Sequence, residues 1–201
     1  MHFTHVQNLP AVMASGHLKS DSLIRAESVN INECGNVQIK ERRRNVAVSI
    51  PPGGVVADYV PFYFAPRSPM MFSISRGNVP TYTGGQGPLI YFWSHLAVVD
   101  QLDLQWVGSD GNCAHSLSAV TNDWIELESI VDWDVMTLKY WKDTPEDGDR
   151  MRRRMAELLV YRTFPLAAIA GIGAMSEEVA EVARSYTADR IPVQVRSDWY
   201  Y

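Results

Sequence analysis

A chain of 201 residues, 46% apolar and 20% charged, has the composition of a soluble globular protein with one sizeable core, and one domain over residues 1–201 is expected. No run of about 18 apolar residues offers a membrane helix, and Met1–Pro10 lacks the charged start and apolar core of a secretory leader, so a cytoplasmic protein without membrane association is expected. The net charge of -5 excludes a generally basic nucleic-acid binder, and neither the two cysteines, Cys34 and Cys113, nor the five histidines show ligand spacing, so no disulfide framework or metal site is expected.

In chain order, His2–Val6 reads as a short strand, followed by a helix capped by Asn8, with Pro10 in its first turn and Gly16 at its end. Asn45–Ile50 and Val55–Phe64 are strand-like around the turn Pro51–Gly54. Within the second of these, Val60, Phe62 and Phe64 share one face at period two, and Tyr59, Pro61 and Tyr63 share the other. Both faces are apolar or aromatic, as expected of a strand buried on one side and able to stack a flat ligand on the other. Pro61 cannot donate to a sheet ladder, which puts this strand at an edge or a break, and Pro66 and Pro69 fix its exit loop. On the aromatics alone, a core strand with a rigid exit is the simpler reading.

Farther along, Leu89–Trp93 is a compact apolar strand, Leu102–Val107 alternates, and Ser116–Asn122 suits either a helix or a strand. Asp132–Lys142 and Asp149–Ala156 look helical, and Leu158–Tyr161 is a short strand. Ser176 caps a helix running to about Tyr186, and Ile191, Val193 and Val195 alternate as a last strand. Strands and helices mix without a regular βαβ rhythm, which disfavours a doubly wound parallel sheet. Gly171-Ile172-Gly173 is a lone G-x-G without the third glycine or the later acid of a dinucleotide fingerprint.

Charge is unevenly distributed. Lys40, Arg42, Arg43 and Arg44 stand against Glu41, and Arg150, Arg152, Arg153 and Arg154 against Glu157, each a local +3; between Glu126 and Asp149 eight acids face Lys139 and Lys142. Such runs are usually solvated faces, yet two basic clusters in an acidic protein also suit a local phosphate-binding groove.

Tyr59–Met70, YVPFYFAPRSPM, is similar to the signature of the DarT family of DNA ADP-ribosyltransferase toxins. Other blocks agree in order: HFTHVQNLPAVMASGHL near the N-terminus, IKERR, YTGGQGPL at Tyr82–Leu89, SDGNCA at Ser109–Ala114, and RRRMAELLVY late in the chain. The resemblance implies an α+β fold, a split mixed β-sheet around an NAD cleft with helices on the outside. It also implies an NAD+-dependent mono-ADP-ribosyltransferase that modifies a base, thymidine in the family, in single-stranded DNA. NAD+ is then the co-substrate, no metal is needed, and the partner is a macrodomain antitoxin (DarG-like).

Cleavage of the nicotinamide–ribose bond passes through an oxocarbenium-like state, so a carboxylate is needed near the ribose. The resemblance gives that role to Glu157, which could also help remove a proton from the acceptor base; read from the residues alone, Glu157 would be an i,i+4 partner of Arg153 on a surface helix. Arg43, four residues after Ile39, is implied to hold the NAD+ phosphates with its rigid fork of donors, with Arg42 and Arg44 as neighbours in register. His5, Asn8 and Leu9 match the block at the nicotinamide end, and Tyr59, Phe62 and Tyr63 would supply an aromatic wall, their facing set by strand register. Base and phosphate contacts are expected from Met70, Asn112, Arg150, Arg152, Arg153 and Arg154. Other readings are the same chemistry on RNA or protein, and a non-catalytic nucleic-acid-binding module, which would have no need of Glu157.

Overall fold

Pro61 dictates the position of the aromatic strand, and the computed structural model, which describes Met1–Tyr201, places that strand at a sheet edge. The elements in order are β1 (His2–His5), α1 (Leu9–Ser15), β2 (His17–Lys19), α2 (Asp21–Ala26), α3 (Val37–Asn45), β3 (Tyr59–Tyr63), α4 (Pro69–Ser75), β4 (Leu89–Trp93) and α5 (Leu96–Gln101). There follow β5 (Trp106–Ser109), β6 (Val120–Thr121), α6 (Trp124–Ile130), α7 (Trp133–Thr137), α8 (Arg150–Arg153), β7 (Glu157–Tyr161), β8 (Thr163–Pro165), β9 (Gly171–Ala174), α9 (Glu177–Thr187) and β10 (Val193–Val195).

The strands form two four-stranded sheets, β1-β4-β9-β10 and β3-β7-β5-β6, and a small β2-β8 pair. All pairings are antiparallel except β9 with β10, so the fold is α+β with a split, mixed sheet, as expected. β3 lies at the edge of its sheet, where Pro61 withholds no ladder bond from a central strand. The two sheets meet at the chain start, where the Met1 carbonyl accepts from the Tyr63 amide at 2.7 Å and His2 Nδ1 lies 2.9 Å from the Pro61 carbonyl oxygen.

Register sets the two faces of the β3-β7-β5 sheet. Tyr63 stands opposite Glu157, Pro61 opposite Leu159 and Tyr59 opposite Tyr161, while Ser109 and Val107 of β5 flank Glu157 and Leu159. Val60, Phe62, Leu158 and Val160 point the other way into the largest core, with Leu9, Leu18, Phe92 and Phe164. Tyr59, Val107, Cys113 and Leu159 form a separate cluster on the Glu157 face.

Several local expectations shift. Gly16 ends α1 at φ 71°, the left-handed conformation glycine supplies without penalty, and its amide bonds the Val12 carbonyl. Asn8 precedes that helix but its side chain makes no cap bond. Asn45–Ile50 is not a strand: its start closes α3, and only a single bridge joins Ala47 to Val55. The helix expected over Asp132–Lys142 contracts to Trp133–Thr137, and the Pro66–Pro69 exit leads at once into α4, capped by Ser68.

The Gly171-Ile172-Gly173 segment is β9, and its glycines answer a packing demand. A Cβ on Gly173 would overlap the ring of Trp199, and one on Gly171 would sit 2.7 Å from Trp93 Nε1. Gly173→Ala is therefore expected to cost about 1–3 kcal/mol by overpacking while leaving NAD+ affinity unchanged. Urea unfolding alongside calorimetric titration with NAD+ checks both halves; a weakened affinity in a stable variant would return this segment to the dinucleotide.

Candidate active site

Glu157 begins β7, the strand between β3 and β5, and only 2% of it is exposed. A carboxylate so buried needs partners, and two donors supply them through three contacts. Arg43 Nη1 donates to Oε1 at 2.9 Å and to Oε2 at 3.2 Å, and the Cys113 amide donates to Oε1 at 2.8 Å. The i,i+4 alternative fails because β7 is a strand and Arg153 pairs with Asp132 and Asp147 instead.

Arg43 comes from α3, 114 positions away in sequence. Burial disfavours its charge, but the Glu157 carboxylate outweighs burial and raises the guanidinium above its ordinary range. Its Nη2 is buried without an acceptor in the protein, a free donor suited to an anionic ligand. Of the three neighbouring arginines, Arg42 is exposed, Arg44 pairs with Asp21 and Glu41, and Arg43 alone reaches Glu157.

Of the three aromatic residues expected to form a wall, one stands beside this pair. Tyr63 shares the Glu157 face, stacks on Phe3 with ring centroids 6.3 Å apart, and has Met70 Sδ 3.9 Å from its hydroxyl. Burial, then the Glu157 charge, push its phenol up, so it stays protonated. Phe62 points to the opposite face and packs on Phe164 at 4.7 Å, which removes it from the Glu157 side. Tyr59 is on the right face but wholly buried, its hydroxyl spent on the Gly53 carbonyl at 2.6 Å. Leu9 is likewise enclosed in the main core and its amide is bonded to the Val6 carbonyl, so neither Tyr59 nor Leu9 offers a side chain to a ligand.

His5 and Asn8 occupy the end of β1. His5 accepts from the Gln7 amide at 3.2 Å and lies edge-on to Tyr82, with centroids 6.4 Å apart; burial lowers its basicity. The Tyr82 hydroxyl is a second buried group without a protein partner. Asn8 grips the backbone of Asn32, accepting from its amide at 2.7 Å and donating to its carbonyl at 3.1 Å. It thus holds the segment between α2 and α3 against β1, and Lys40 reinforces this through Glu33. An open cavity of about 280 Å³ lies along β3, walled by Phe62, Tyr63, Phe64, Trp93, Trp133 and Phe164, and we assign no chemistry to it.

Both thiols are buried. Burial first, and then the neighbouring Glu157 for Cys113 and Glu33 for Cys34, push each up to about 12, where thiolate is negligible. No group of histidine, cysteine or acidic side chains is arranged to hold a metal ion. The Cys113 amide that fixes Glu157 is a backbone donor and carries no side-chain signal in the sequence, where SDGNCA marks only its neighbourhood. Asn112 stands next to it, its side chain accepting from the Ala114 amide at 2.9 Å.

The arginine cluster is not a free cationic surface. Arg150 pairs with Asp147, Arg152 with Asp110 and Asp149, and Arg153 with Asp132, Asp147 and Asp149. Arg154 is 3% exposed and donates to the carbonyls of Val135, Met136 and Pro66 at 2.6–2.7 Å. The expected nucleic-acid role of Arg154 is corrected to a structural one, since its guanidinium is spent tying α7 and the exit of β3 together. Arg154→Ala strands three carbonyls and is expected to destabilise the fold by about 3 kcal/mol, measured by urea unfolding; a loss of DNA binding with unchanged stability would contradict this assignment.

The split, mixed sheets and the buried Arg43–Glu157 pair are compatible with the ADP-ribosyltransferase that the sequence resembles. Comparison with known proteins narrows this. The family model described as "ssDNA thymidine ADP-ribosyltransferase, DarT" matches residues 1–201. The DNA ADP-ribosyl transferase of Thermus sp. (strain 2.9) is 36% identical over 207 residues, covering 100% of this chain and 94% of that protein. That of Mycobacterium tuberculosis is 34% identical over 187 residues, covering 92% and 79%. Among solved structures, Thermus sp. 2.9 DarT in complex with ADP-ribosylated ssDNA superposes with a TM-score of 0.89 at 35% identity, covering 100% of this chain and 94% of that one. The same protein in complex with NAD+ gives 0.84 at 33% identity, covering 100% and 96%. The chain belongs to the DarT family of ssDNA thymidine ADP-ribosyltransferases, and it is an NAD+-dependent DNA ADP-ribosyltransferase.

Proposed function

We propose that the whole chain is one catalytic domain in which Glu157 and Arg43 carry ADP-ribosyl transfer from NAD+ to thymidine in single-stranded DNA. The observation behind this reading is the Arg43–Glu157 pair, braced by the Cys113 amide. As the bond from ribose to nicotinamide breaks, positive charge builds on the ribose and nicotinamide leaves as a neutral amide. Glu157 stabilises that charge and accepts the proton that the thymine base loses as it bonds to the ribose carbon. Arg43, with one nitrogen unpartnered, presents its donors to the diphosphate. His5 and Asn8 serve the nicotinamide end, Asn8 by ordering the Asn32 segment. Tyr63 supplies the aromatic surface. Because an enzyme reacting at a base edge must hold that base unstacked, single strands avoid the unpairing cost.

The acceptor side is assigned to Met70, beside the Tyr63 hydroxyl, and to Asn112, next to Cys113. Arg150, Arg152 and Arg153 would reach phosphates only by giving up the aspartates they pair with. No helix is long and apolar enough to cross a membrane, and we place the enzyme in the cytoplasm as the toxin of a toxin–antitoxin pair, its partner a macrodomain antitoxin that removes the mark. Mass spectrometry of matched single-stranded DNA, duplex DNA, RNA and protein incubated with isotopically labelled NAD+ tests the reading. An ADP-ribose adduct confined to thymidine in the single strand is expected; label on RNA or protein alone would overturn it.

A further inference from the structure

Helix α3 carries Arg43, yet nothing apolar holds it in place. Neither of its apolar residues is buried: Val37 and Ile39 are both exposed. A helix this short is marginal in water by itself, so its position must come from polar contacts. Asn36 caps its start. Lys40 and Arg44, one turn apart and therefore on one side of the helix, converge on a single carboxylate. Lys40 Nζ lies 2.7 Å from Asp21 Oδ1, Arg44 Nε donates to Oδ2 at 2.7 Å, and Arg44 Nη2 donates to Oδ1 at 3.3 Å.

Asp21 is itself anchored to the strand that bears Glu157. It opens α2 directly after Ser20, which is buried and caps that helix through the Leu23 amide. The Ser20 amide donates to the Arg162 carbonyl at 2.8 Å, and Arg162, immediately after β7, donates its own amide to the Asp58 carbonyl at 2.8 Å, just before β3. A continuous path of short contacts thus runs from β7 through Ser20 and Asp21 to the residues on either side of Arg43.

We propose that Asp21 is a positioning residue for ADP-ribosyl transfer, clamping Lys40 and Arg44 so that the guanidinium of Arg43 is held on Glu157. This rests on the assignment of Arg43 and Glu157 to the reaction. Lys40 also pairs with Glu33 in the neighbouring segment. Misplacing a reacting group by about 1 Å costs on the order of 100-fold in rate, so a modest loosening of α3 is enough to register.

The test is a double-mutant cycle on the full chain, with kcat and the KM for NAD+ measured on a thymidine-containing single strand, and the melting temperature recorded for each variant. Asp21→Asn is expected to lower kcat/KM on the order of 10- to 100-fold. Added to Arg43→Ala, it is expected to cause almost no further loss, because its effect passes through Arg43. If Asp21→Asn does not fold, the pair Lys40→Gln with Arg44→Gln breaks the same clamp from the helix side and enters the same cycle. Wild-type kinetics in a folded clamp variant, or losses that multiply with Arg43→Ala, overturn the proposal. Wild-type activity in Arg43→Ala alone instead overturns the site assignment, and the role of Asp21 falls with it.

Discussion

Glu157→Gln is expected to lower ADP-ribosyl transfer by at least about 10²–10³-fold, the usual cost of removing a preorganised electrostatic stabiliser, and by more where the same group also takes the proton. The glutamine keeps the shape of the side chain and can still accept from the Cys113 amide, which now reaches Glu157 Oε1 at 2.8 Å. It cannot offer Arg43 an anion, and its amide nitrogen would face another donor. Glu157→Ala is the harsher variant, because it leaves the buried Arg43 guanidinium without a counter-ion, a change that typically costs about 3–5 kcal/mol. The comparison that isolates chemistry is therefore single-turnover transfer by the glutamine variant, together with its melting temperature. Near-normal transfer by folded Glu157→Gln would remove this carboxylate from the reaction.

Arg43→Ala is expected to weaken NAD+ binding and to slow transfer, with a stability loss of about 3–5 kcal/mol because the Glu157 carboxylate is left buried and unpaired. Arg43→Lys should restore part of the stability and less of the affinity. An ammonium returns the charge, but not the planar fork that here bonds both carboxylate oxygens with one nitrogen and leaves another free. Arg42→Ala should match the wild type in both, since that side chain is exposed and Arg43 alone reaches Glu157. Calorimetric titration with NAD+ across the three variants reads the order directly. If Arg42→Ala is the damaging change, the orientation of α3 described above is wrong.

How much of this was legible beforehand depended on the range of the physics involved. Helix caps and turn residues act within four or five positions, and accordingly Gly16 closes α1, Ser176 caps α9 and Pro61 confines β3 to an edge. The apolar run Leu89–Trp93 is a strand as expected. The ordered blocks of the DarT signature also bring Glu157 and Arg43 to attention, although 114 positions separate them.

Only the tertiary structure decided which side chains those blocks turn toward one another. In a strand, neighbouring residues face opposite sides, so the pairing of Tyr63 with Glu157 selects Tyr63 and sends Phe62 into the core. On a helix, one residue is about 100° of rotation, and the docking of α3 through Asp21 selects Arg43 over Arg42 and Arg44. Of the four late arginines, Arg150 and Arg152 find Asp147 and Asp149 three positions away, but Asp110 and Asp132 lie 42 and 21 positions from Arg152 and Arg153, and the carbonyls that bind Arg154 lie as far as 88 positions away. Composition and spacing along the chain establish which groups are present and which local conformations they favour. Their facing and pairing follow from register and docking, which are settled by contacts between segments that sequence keeps apart.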